Sequence, residues 1–149
     1  MLCTSTVIFG SQGPYLEMRR FRFARSLVVV TPGGAMSAWV AESPAQRLLG
    51  LAALAAIPPG RGLLIPGCAA VHTWGMRFAI DIAFLEWPPR PGSDVIRLRE
   101  AVGRRRSARL RGRRRRHTAV LEAPAGALRG LVTEAGFATV TFKACPHRT

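Results

Sequence analysis

The segment His72-Thr73-Trp74-Gly75-Met76-Arg77-Phe78-Ala79-Ile80-Asp81-Ile82-Ala83-Phe84-Leu85 constrains this chain more than any other stretch. Its last four residues are apolar and run directly into Glu86-Trp87-Pro88-Pro89. A short apolar run closed by prolines reads as a buried strand. Asp81 lies between Ile80 and Ile82, and a carboxylate buried there requires a partner. It can accept from backbone amides or pair with Arg47 or Arg77, the common solutions for a buried charge. Trp74, Met76 and Phe78 alternate, so on a strand they would share one face, packed into the core or lining an apolar cleft.

The flanking chain supplies more strands. Phe21 to Val30 is rich in β-branched and aromatic residues, which favours a strand. Thr31-Pro32-Gly33-Gly34 turns it, and Ala35 to Ala41 returns as a hairpin. Ser43 and Pro44 open a helix, as a cap and a first-turn proline do. Leu48, Leu51, Ala52 and Ala55 give it an apolar face, and Ile57-Pro58-Pro59-Gly60 ends it. Leu63-Leu64-Ile65 is a short buried strand. Asp94 to Val102 alternates with period two, with Ile96, Leu98 and Val102 inward. Thr118 to Glu122 and Phe137 to Phe142 are further strands, and Pro124 starts a short helix running to Val132. The expected fold is α+β and β-rich: a small, mostly antiparallel, barrel-like sheet of six or seven short strands with two short helices. Residues 1–25 read as a leader, with Met18 as an alternative start. Residues 26–142 read as a single domain and 143–149 as a tail.

Composition narrows the function. No window holds the roughly 18 consecutive apolar residues of a membrane helix. The N-terminus lacks the basic-then-apolar order of a secretory signal. A cytoplasmic location without membrane insertion is the expectation. Cys3, Cys68 and Cys145 have no paired spacing, which excludes a disulfide framework. The formal net charge is +14. All basic residues except Lys143 are Arg, and the chain has no Asn. That bias matches a GC-rich coding sequence, so part of the charge reflects codon usage.

The order of landmarks resembles the bacterial and archaeal family called domain of unknown function 192. The matching residues are Arg47 and Gly50-Leu51, then Gly62-Leu63-Leu64 before Cys68. They continue through His72 to Leu85 and Val120-Leu121-Glu122-Ala123-Pro124-Ala125-Gly126. The resemblance implies a small β-rich domain with a packed helix and no assigned reaction. Where family members usually carry an apolar turn, this chain has an arginine run.

Candidate sites follow. Arg47, His72, Trp74, Met76, Asp81 and Glu122 are the expected lining of a ligand cleft. Glu122 alternatively fixes the chain entering the second helix by accepting backbone amides or an arginine. His72 and Asp81, with Cys68 as nucleophile, would suit a hydrolase-like enzyme. Cys68 and His72 with His117 or Asp81 would be a sparse metal set, so no metal or cofactor is expected. Arg104, Arg105, Arg106, Arg109, Arg111, Arg113, Arg114, Arg115 and Arg116 fall in the loop 103–117, read as solvated. They are the candidate polyanion contacts, for weak nonspecific binding of nucleic acid. The leading expectation is a non-enzymatic binding module for a small polar or anionic ligand or a partner peptide.

Overall fold

The structure, a computed structural model, describes Phe23 and residues 25–52 and 54–144. The rest of the expected leader, and the tail from 145 onward, lie outside the described residues.

Seven strands close a barrel in the order β1 (Ser26–Thr31), β11 (Thr139–Ala144), β6 (Ser93–Val102), β5 (Ile80–Glu86), β8 (Thr118–Pro124), β3 (Arg61–Pro66) and β2 (Gly34–Val40). Neighbours are antiparallel except β2 and β3, which pair in parallel. A parallel pair needs a crossover between its strands. Here the crossover carries α1 (Pro44–Leu49). The remaining short strands are β4 (Ala70–His72) with β7 (Ser107–Arg109), and β9 (Val132–Thr133) with β10 (Gly136–Phe137). No helix among the described residues is long and apolar enough to cross a membrane.

Alternation along each strand divides the apolar residues into two layers. Val29, Ala38, Leu64, Leu85, Leu121 and Val140 fill the barrel interior. Leu63, Ile65, Ile80, Ile82, Phe84 and Val120 form a second layer on the outside of β3, β8 and β5. Trp39, Leu51 and Leu54 belong to that outer layer. The wall is thus buried on both faces, which explains the unbroken apolar run of β5. At roughly 1.5–3 kcal/mol for each large buried side chain, the outer layer contributes on the order of 10 kcal/mol. That equals the net stability of an ordinary domain, so the covering of this wall is part of the core.

Several expectations are corrected. The first helix stops at Leu49 and not near Ala55, because Gly50 takes a positive φ of 50° and turns the chain. The second helix is absent. Residues 125–128 are turns, followed by a single 3-10 turn at Arg129–Leu131. Trp74, Met76 and Phe78 lie in turns between β4 and β5 and share no strand face. On β6 it is Val95 that enters the interior layer, while Ile96 and Val102 pack against the outer one. Register shifts between β5 and β6 at Ile80/Ile82 and at Phe84/Leu85 explain this. Each bulge adds a residue to one strand and resets its alternation. The arginine loop also contains a strand, since β7 pairs with β4 and Ala108 is buried in the outer layer.

Candidate functional site

The site begins with one carboxylate. Glu122 sits on β8 opposite Leu63 of β3 and Ile82 of β5. Alternation places its side chain with Val120, on the outer side of the doubly buried wall. It is 4% exposed. Among the described residues its carboxylate makes no hydrogen bond and no ion pair, and its oxygens are reached from the cavity and not sealed in the wall. Burial without compensation disfavours the charged form, and desolvation raises its pKa from 4.5 to about 7.

Glu122 lines a cavity of about 170 Å³. Four of the six expected cleft residues meet there: Arg47, His72, Met76 and Glu122. Arg47 comes from the last turn of α1 and donates from Nη2 to the Gly67 carbonyl at 2.9 Å. The helix that carries it starts with a reciprocal cap. Ser43 Oγ accepts from Gln46 N at 3.2 Å, and Gln46 Oε1 accepts from Ser43 N at 2.9 Å. Gly50 then brings the backbone over the carboxylate. A Cβ on Gly50 would lie 3.3 Å from Glu122 Oε2, at a φ that side chains rarely adopt. His72 ends β4 and is exposed, whereas Met76 is buried. Leu48 and Leu49 also line the cavity and are exposed. Sequence reasoning missed both, because an apolar residue on a short helix reads as core.

The other expected residues lie elsewhere. Asp81 is fully buried, accepting from Ala101 N at 2.9 Å and from Leu128 N at 3.0 Å. Alternation aims it to the same side as Ala83 and Leu85, into the barrel. Asp81 and Glu122 therefore lie on opposite faces of the wall. Asp81 fixes the turns after Pro124, the role expected of Glu122. Its acceptor oxygens serve these two amides and not His72. Trp74 is 57% exposed and does not line the cavity. The Cys68 thiol donates to the Ala70 carbonyl at 3.1 Å, and burial raises its pKa, the reverse of an activated nucleophile. Among the described residues no three of His, Cys, Asp and Glu gather into a metal-binding group.

Thr73 has a role that the sequence does not announce. Its Oγ1 donates to the Gly103 carbonyl at 2.6 Å and accepts from Arg106 N at 2.8 Å. Its own N donates to the Arg106 carbonyl at 2.8 Å. This one residue clasps the base of the arginine loop.

The chain aligns over 77% of its length, at 17% identity and TM-score 0.59, with 82% of a Novosphingobium aromaticivorans protein of unknown function. It aligns over 80% of its length, at 19% identity and TM-score 0.57, with 92% of a candidate transcription regulator of Sinorhizobium meliloti. At these identities the likeness is one of fold. No curated protein matches the chain in sequence. The model of the family DUF192, described as an uncharacterized ACR, matches residues 28–140, and with the landmark residues of the barrel wall in place the chain belongs to that family.

Proposed function

We propose that the domain is a binding module and that its site is the cavity over Glu122. The ligand is a small polar molecule that donates a hydrogen bond to Glu122 and presents an acceptor or anionic group to Arg47 and His72. One observation carries this reading. A carboxylate 4% exposed, without a partner among the described residues, faces a cavity. Its oxygens are not sealed off without a partner, so the cavity presents them to an incoming donor, and a hydrogen bond to such a charged acceptor contributes about 1.5–3 kcal/mol. The volume of about 170 Å³ is below the roughly 300–1,000 Å³ of drug-sized sites, which favours a compact ligand. Leu48 and Met76 suit an apolar portion of it.

The test is a thermal-shift and calorimetric screen of small amines, amino acids and hydroxy acids at pH 6 and pH 8. The expected result is a compound that stabilises the wild type and loses at least about tenfold in affinity on Glu122→Gln, with a weaker loss on His72→Ala. A compound bound equally by wild type and Glu122→Gln would place the site elsewhere, and a screen without any binder would sink the reading.

A further inference from the structure

We infer that the arginines of β6 and of residues 109–111 form a surface that binds the phosphate backbone of a nucleic-acid duplex, independently of base sequence. Arg97, Arg99, Arg109, Leu110 and Arg111 line an open depression of about 510 Å³. Arg109, Leu110 and Arg111 also border a second depression of about 510 Å³, where Arg113 and Arg115 join them. Segment 109–111 is thus a ridge between two basic hollows. Among the described residues no acidic side chain lines either one.

These arginines are available to a partner. Arg97, Arg99, Arg109 and Arg111 are exposed and make no ion pair or side-chain hydrogen bond among the described residues. The acidic neighbours are used otherwise, Glu86 by Arg113 at 3.2 Å and Glu100 by Arg129 at 3.7 Å. Arg104 is engaged too, donating from Nε to the Met76 carbonyl at 2.9 Å. The structure therefore moves the candidate polyanion site: Arg104 and Arg113 are partly committed, and Arg97 and Arg99 enter from a barrel strand. Codon bias explains why the residues are arginines. It does not explain why unpaired arginines from two separate segments converge.

The surface is also held in place. Ala70, Val71 and His72 pair with Arg109, Ala108 and Ser107, and Leu110 N donates to the Ala69 carbonyl at 2.8 Å. A fixed array binds with less ordering cost than a free loop. Two features select the partner. Among the described residues Leu110 is the one large apolar side chain in the hollows, and it is half-buried, which is too little apolar surface to anchor in the acyl layer of a bilayer. Among the described residues no aromatic lines either hollow, which leaves no platform there for stacking the bases of a single strand. Guanidinium groups on phosphates remain.

The experiment measures binding of the full chain to a fluorescent mixed-sequence DNA duplex by anisotropy, from 50 to 200 mM salt. Four phosphate contacts give a slope of log K against log salt of about −4. Arg97→Ala with Arg99→Ala, and separately Arg109→Ala with Arg111→Ala, should each weaken binding at least about tenfold and reduce the slope by about two. Arg25→Ala with Arg90→Ala removes the same formal charge at residues that line neither hollow, one of them beside Glu42 at 3.9 Å, and should change affinity less than about threefold. Circular dichroism melts establish that each variant is folded, and the strand pair decides if the ridge pair is not. Equal losses from all three pairs would reduce the effect to net charge and overturn the inference. Unchanged binding by the strand pair, or tighter binding to anionic lipid vesicles than to duplex, would overturn it as well.

Discussion

Two buried carboxylates on adjacent strands of one wall have opposite fates, and the difference lies in which side of the wall each faces. Asp81 points into the barrel and accepts from two backbone amides, 20 and 47 residues away in sequence. Asp81→Ala removes a charge-assisted acceptor and orphans both amides, which should cost about 3–5 kcal/mol in a urea melt. Glu122 points outward and has no such donors. Its folded pKa of about 7 lies above the ordinary 4.5, so the folded state holds a proton that the unfolded state releases first. The stability of the wild type relative to Glu122→Gln is therefore greatest below about pH 4.5. It should decline by on the order of 3 kcal/mol as pH rises through about 7. Paired melts at pH 5 and pH 8 check this, and a flat difference would show Glu122 to be solvated. Both residues stand out in the sequence as lone carboxylates inside apolar runs. What the runs cannot show is which face meets a cavity and which meets backbone amides, because those amides come from distant bulges and turns.

Sequence periodicity identifies where the barrel strands run, but not where a bulge resets their alternation. All seven barrel strands correspond to apolar or alternating runs, and the Ser43-Pro44 helix start is capped as its residues imply. Elements set by a partner strand escape such reading. On β6 the shift opposite Ile80/Ile82 coincides with Ala101 at a φ of 48°, and the Ala101 amide is one of the two that Asp81 accepts. β4 and β7 have three residues each, too few for any period, and exist because they pair with one another. Thr73 is what holds that pairing to the loop. Thr73→Val keeps the shape but removes the hydroxyl bonds to Gly103 and Arg106. Trypsin should then cleave within residues 104–116 several-fold faster while the barrel melts within about 2 kcal/mol of wild type. Unchanged cleavage would mean that the β4–β7 ladder suffices alone.

At the scale of the whole molecule, the arginine surface and the barrel have opposing requirements. A formal net charge of +14 on 149 residues repels itself in the compact state, and the repulsion is greatest where cations converge without acids. The hollows beside Arg109 and Arg111 are such places. Removing arginines there should stabilise the domain, in contrast to the usual effect of a substitution. Arg97→Ala with Arg99→Ala is expected to raise stability by about 0.5–1 kcal/mol at 10 mM salt, where charges interact over about 30 Å. The gain should vanish near 1 M salt, where that range falls to about 3 Å. The wild type should show the complementary trend, with its melting temperature rising as salt is added. Denaturant melts of both proteins across that range decide the matter. A gain that persists at high salt would come from packing or strand propensity, and the arginines would then carry no electrostatic cost. A gain that disappears with screening would mark the ridge as a surface kept at the expense of the fold, as a surface that binds an anionic partner should be.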